Sequence, residues 1–174
     1  DAAHFVLAPF LGFLWSLTRL FVPAPAGRQR FNVLGALNAV SHELITVTNT
    51  SYITAESVCA LLYKLAALNL DVPITLFLDN ARYQRCALVQ TTAASLKIEL
   101  CFLPAYSPNL NLIERLWKFV KKQCLYSTYY ADFTTFKSAI ETCLTQTHTT
   151  HKPALDSLLS LRFQLFDKAQ FVTV

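Results

Sequence analysis

Two carboxylates stand where a chain could carry out phosphoryl chemistry. Asp79 closes the apolar run Leu76-Phe77-Leu78 and is followed by Asn80-Ala81. Glu114 follows the Pro-punctuated stretch Leu103-Pro104-Ala105-Tyr106-Ser107-Pro108-Asn109-Leu110-Asn111-Leu112-Ile113, which delivers it onto a helix. The two acids are separated by 34 residues, and a third acid, Asp1, opens the chain. A carboxylate at the end of a buried strand is costly unless a partner or a metal ion compensates it. Carboxylate oxygens are hard ligands suited to Mg²⁺ or Mn²⁺, and two such ions can clamp the attacking and leaving oxygens of a phosphoryl transfer. These residue types point to metal-dependent chemistry on nucleic acid.

Each acid also has a structural reading. Asp-Asn is good turn chemistry, so Asp79 suits a bend or a helix cap as well as the mouth of an α/β site. Asn111 as N-cap with Glu114 three residues later resembles a capping box, and Glu114 with Lys118 is a favourable i,i+4 pair. Those effects amount to a few tenths of a kcal/mol up to about 1 kcal/mol. They leave the rigid lead-in from Leu103 to Ile113 unexplained. Asp1 draws its weight from the strand-like Asp1-Ala2-Ala3-His4-Phe5-Val6, expected to lie beside the Asp79 strand, with His4 as a structural hydrogen-bonding residue.

The elements that must position these acids follow from periodicity. Strands are expected over Phe31–Leu37 and Leu44–Thr48, joined by a turn at Asn38–His42. Thr54 can cap a helix with Val58, Leu61, Leu62, Leu65 and Leu68 on one face. Ile74–Leu78 reads as a strand buried on both faces. A helix over Cys86–Leu96 and a strand over Ile98–Leu103 come next. Helices then cover Leu112–Leu125, Phe133–Thr145 and Pro153–Ser160, the first with the stripe Ile113, Leu116, Trp117, Val120 and Cys124. This order describes an α/β plan with a mixed sheet, an antiparallel meander followed by parallel crossovers.

Composition narrows the class. Hydrophobic residues make up 53% of 174 and charged residues 15%, which excludes disorder and gives one domain with a full core. The net charge of +4 fits a polyanionic partner without requiring one. Five cysteines without a C-x-x-C pair suggest buried thiols rather than disulfides or a zinc site. Phe5–Trp15 is apolar but too short to span a bilayer and is interrupted by Pro9 and Gly12, so a buried strand with its turn is expected and no membrane partner. The chain has no Met and begins on Asp1, which reads as a fragment.

The stretches DAAHF, PAGRQRFNVLGAL, LFLDNARYQR and LPAYSPNLNLIERLWKFVKK together resemble the catalytic domain of a DDE transposase of the mariner-like superfamily, including its bacterial insertion-sequence relatives. The resemblance covers nearly the whole chain, and its most specific part is the Tyr106-Ser107-Pro108…Asn111…Glu114 block with the 34-residue gap before Glu114. It implies a ribonuclease-H-like fold, a mixed sheet flanked by helices, over residues 1–174 as a single catalytic domain. It also implies that Asp1, Asp79 and Glu114 are the catalytic, metal-binding acids for two Mg²⁺ or Mn²⁺ ions. One departure is Gln84, where many relatives carry His. The family's first Asp lies within a strand that follows a helix-turn-helix region. The N-terminal DNA-binding region and the start of that strand are absent from this sequence, so specific recognition of transposon ends is not expected of it.

The function implied is DNA cleavage and strand transfer in transposition, with transposon ends and target DNA as partners. A homodimer in the synaptic complex is implied too, and for a bacterial insertion sequence a cytoplasmic, nucleoid-associated location. Arg28, Arg30, Arg82, Lys118, Lys121 and Lys122 are the candidate phosphate contacts. Two alternatives share the residues: a ribonuclease-H-like nuclease that hydrolyses without joining, and a non-catalytic DNA-binding remnant of a decayed element. For the lysines alone, a solvated charged face is the simpler account.

Overall fold

The computed structural model describes residues 1–7, 15–21, 29–104 and 107–163. Expectations resting on Pro9, Gly12, Pro23, Pro25, Gly27, Arg28 and Tyr106 fall outside the described residues.

The centre of the molecule is a strand that is apolar on both faces. β2 (Arg30–Leu37) pairs antiparallel with β1 (Ala2–Val6) on one side and with β3 (Leu44–Asn49) on the other. Its side chains alternate between two cores. Phe31 and Val33 join a core with α3 (Ile113–Leu125), α4 (Phe133–Thr145) and α5 (Lys152–Leu158). Leu34 and Ala36 join a second core with α1 (Ala55–Ala66) and α2 (Ala87–Ser95). The one fully buried polar side chain in this strand, Asn32, is satisfied on both its atoms. It accepts from His4 Nδ1 at 2.6 Å and donates to Asn49 Oδ1 and the Ser51 carbonyl, each at 2.9 Å. The structural role expected of His4 is thereby accounted for.

Local chemistry sets the helix ends. The Thr54 backbone N–H donates to Ser57 Oγ at 3.2 Å at the start of α1, and Val58, Leu61, Leu62 and Leu65 are buried as their spacing predicts. Leu68, expected to continue that stripe, lies beyond the helix and is 43% exposed. Asn69 takes a left-handed φ of 47° there, so the last turn closes before Leu68 can reach the core. The stripe of α3 is buried at all five expected positions. Asp132 caps α4 by accepting from the Thr135 N–H at 2.8 Å.

β4 (Ile74–Leu78) and β5 (Ile98–Phe102) pair in parallel, with α2 as the crossover. Two expectations are corrected here. β4 is covered on one face only: Ile74 and Leu76 pack on the second core, whereas Phe77 is 60% exposed. The continuous apolar run suggested burial on both faces, but Thr75 and Phe77 point away from the helices that cover β4. The sheet is mixed as expected, but the Asp1 strand does not lie beside the Asp79 strand, because the sheet is in two parts. Among the described residues it forms a three-stranded antiparallel ladder and a separate two-stranded parallel one. β1 therefore does not share a ladder with β4; the two come together at their ends, through Asp1 just before β1 and Asp79 just after β4.

All five cysteines are free; Cys59, Cys124 and Cys143 are buried, Cys86 is half-buried and Cys101 exposed. Trp15, read from the sequence as part of a buried strand, is fully exposed. Among the described residues no helix is long and apolar enough to cross a membrane.

Candidate functional site

Where the two ladders meet, three acids converge. Asp1, Asp79 and Glu114, all half-buried, can each present a carboxylate oxygen such that the three atoms lie within 4.8 Å of one another. Among the described residues no other cluster of this kind occurs. Three carboxylates at this spacing repel one another, and a divalent cation is the species that removes the repulsion. The donor set, all oxygen and all anionic, fits a hard ion such as Mg²⁺ or Mn²⁺ and not a soft one.

The acids are positioned by one stretch of chain, residues 111–117. Asn111 Nδ2 donates to Asp79 Oδ1 at 3.0 Å, and Trp117 Nε1 donates to Asp1 Oδ2 at 3.0 Å. Glu114 stands between them in the first turn of α3, where the helix dipole favours a negative charge. The main chain of Asp1 is fixed separately. Its N donates to the Gly35 carbonyl at 2.9 Å and its own carbonyl accepts from the Gly35 N–H at 2.8 Å, extending the β1–β2 ladder by one pair. On the Asp79 side, Asn80 Nδ2 donates to the Leu103 carbonyl at 3.1 Å, tying the end of β4 to the end of β5.

Two structural roles offered to these residues are not taken up. Asn111 is not the helix cap: Leu112 occupies that position, and the Asn111 amide is turned to Asp79. The expected cap bond to the Asn111 side-chain oxygen is not made. Among the described residues the ion pairs are His42–Asp156, Lys137–Glu141 and Lys152–Asp156, so Glu114 and Lys118 are not paired.

The candidate phosphate contacts scatter. Arg82 is exposed, three residues beyond Asp79. Lys118 lies one helical turn from Glu114, and Lys121 and Lys122 two turns away, or about 6 and about 11 Å along the axis. Arg30 is exposed but sits at the far end of β2, opposite Val6, five residues from Gly35 and so about 17 Å from Asp1. Arg28 lies outside the described residues.

Residues that sequence reasoning missed include Trp117, read only as part of the stripe, and Tyr83, whose hydroxyl is pushed up in pKa by burial and then by the charge of Asp79. Nothing local in the sequence links Trp117 to Asp1. Gln84, the departure from the resemblance, is fully buried, and neither of its side-chain polar atoms has a well-formed hydrogen bond.

A sequence model described as "DDE superfamily endonuclease" matches residues 17–137, well over half of the chain. The chain belongs to the DDE endonuclease superfamily. The matched stretch of this DDE endonuclease includes Asp79 and Glu114 and begins after Asp1. Among solved structures, the chain is similar to the Mos1 mariner paired end complex with Mn, at TM-score 0.62 and 13% identity over 91% of this chain and 51% of that one. It is similar to the Mos1 strand transfer complex, at TM-score 0.61 and 14% identity over 91% and 50%. A third likeness, at TM-score 0.57 and 16% identity over 86% and 47%, is to the simian T-cell lymphotropic virus intasome in complex with PP2A regulatory subunit B56 gamma. At such identities what is shared is the fold, the ribonuclease-H-like fold expected from the sequence. The DDE endonuclease spans about half the length of those chains. No curated protein matches it.

Proposed function

We propose that this chain is the catalytic domain of a DDE transposase, which cuts DNA at transposon ends and joins the 3′ ends to target DNA. The observation that carries the reading is the convergence of Asp1, Asp79 and Glu114 within 4.8 Å where the two ladders meet. In this reading the three acids hold two divalent ions, Mg²⁺ or Mn²⁺. The chemistry those ions supply when bound is activation of the attacking oxygen and stabilisation of the leaving 3′-oxygen.

The chain's own residues do the positioning. Asn111 orients Asp79, and the first turn of α3 presents Glu114 with a favourable dipole behind it. The acids bind; they need not move protons. Arg82 and Lys118 are near enough to Asp79 and Glu114 to hold the phosphates beside the scissile one, and Lys121 and Lys122 extend that contact along the backbone. At about 17 Å from Asp1, Arg30 would meet DNA about five base pairs away, at 3.4 Å per step. Arg28 belongs to the same proposed set. Residues 1–174 act as one catalytic unit in this reading, paired as a homodimer in the synaptic complex, with a cytoplasmic, nucleoid-associated place in a bacterial host.

The test is strand transfer of pre-nicked DNA in Mg²⁺ or Mn²⁺, run on wild type and on Glu114→Gln. Joined products from wild type and none from the variant are expected. Hydrolysis without joining would replace this reading with that of a nuclease. Equal joining by a folded Glu114→Gln protein would overturn the assignment of the acids.

A further inference from the structure

Asp1 is held at two points, and both lead to the same pair of residues. Its main chain exchanges two hydrogen bonds with Gly35. Its side chain accepts from the indole of Trp117 through Oδ2. Trp117 in turn rests on Gly35. A Cβ added to Gly35 would lie 2.8 and 2.9 Å from Cη2 and Cζ2 of the Trp117 ring, closer than side chains tolerate, and 3.2 Å from Ile113 Cδ1. The ring therefore seats directly on the backbone that anchors Asp1, and only glycine leaves room for it.

Packing alone does not call for this arrangement. Trp117 is 2% exposed in a core where Phe5, Phe31 and Phe136 fill comparable space with no polar atom to satisfy. An indole buried here must find an acceptor for its N–H, and the acceptor is one of the three clustered acids. A ligand carboxylate with one oxygen fixed by a neighbouring donor is the arrangement by which metal sites orient their ligands.

We infer that Trp117 is a positioning residue for the metal site, its indole N–H holding the Asp1 carboxylate beside Asp79 and Glu114 on a seat that Gly35 provides. This rests on the reading of the three acids as metal ligands, and the test separates the two. Mn²⁺ binding is measured by calorimetric titration on wild type, Asp79→Asn and Trp117→Phe, at a temperature well below each melting transition. A fourth protein carries 3-benzothienylalanine in place of Trp117, in a Trp15→Phe background. That ring keeps the shape of indole but lacks the N–H, so its seat on Gly35 and its packing are retained even where Trp117→Phe folds poorly.

The expected result is binding abolished by Asp79→Asn and weakened roughly 10- to 100-fold by both Trp117 replacements, the range for partners that orient a metal ligand. The isosteric replacement should melt close to wild type, which a purely structural role for the N–H would not combine with weaker Mn²⁺ binding. Wild-type affinity in the isosteric protein, alongside lost binding in Asp79→Asn, overturns the role of Trp117 alone. Unchanged binding in Asp79→Asn overturns the metal reading, and the role of Trp117 with it.

Discussion

The two ends of α3 differ in what their polar side chains meet. Over residues 111–117 three polar groups converge on one place, an amide on Asp79, a carboxylate between and an indole on Asp1, while Arg115 turns away to the carbonyls of Leu158, Ser160 and Arg162. Beyond them Lys118 and Lys122 are exposed, Lys121 is half-buried, and no ion pair forms with any of the three among the described residues. The same helix buries one continuous stripe from Ile113 to Cys124, so packing does not distinguish its halves. What distinguishes them is whether a side chain has a fixed partner. Fixed partners suit a site that must hold a geometry, and free cations suit a surface that follows a flexible polyanion.

That contrast predicts a graded series of effects. Glu114→Gln is expected to do most, lowering strand transfer by about three orders of magnitude or more while moving the melting temperature little. Gln can replace Glu near a helix start but cannot supply its charge. Paired melting and strand-transfer measurements on one preparation check this. Next comes Asp79→Asn. At a metal concentration about 100 times the dissociation constant, wild type should gain about 2.7 kcal/mol, which corresponds to roughly 5–10 °C in melting temperature. The variant should lose most of that shift in a scan with and without Mg²⁺.

Asn111→Ala should be smaller still. Removing the donor to Asp79 frees that carboxylate without deleting it, so Mn²⁺ affinity should fall about 10-fold in titration. If the affinity is unchanged, the first half of α3 is less committed than its hydrogen bonds indicate. The smallest effects belong to the second half. Lys118→Ala, Lys121→Ala or Lys122→Ala should each weaken DNA binding a few-fold, reduce the salt slope by about 1 and leave Mn²⁺ affinity alone. Binding measured across a salt series decides this. A lysine change that altered metal affinity would erase the distinction between the two ends.

The parts of the fold that were legible in the sequence are those with a local period. The stripe of α3, the strand before Asp79 and the hairpin from β2 to β3 each declare themselves within a dozen residues. The acids of the proposed site were legible through their types, their spacing and the motifs around them. What stayed hidden depends on partners distant in the chain. Asn111 carries the same side chain whether it caps a helix or serves Asp79, and only the position of β4 decides between these roles. The exposed face of β4 was hidden for a related reason, because an apolar run does not record that helices cover just one side of it. Trp117 reads as core from its spacing, and it is core; its bond to Asp1 spans 116 residues and leaves no local trace.

That separation bears on when the site can exist. Asp1 is made well before its side-chain partner, which does not exist until residue 117 has been added and has docked on β2. Contacts so distant in sequence form late, after the intervening hairpin and crossover have shortened the effective loop. A nascent chain holding β1 through β5 thus has two of the three acids and neither Asn111 nor Trp117 to orient them. Translation itself keeps the proposed metal centre unassembled until most of the residues that orient it have been synthesised.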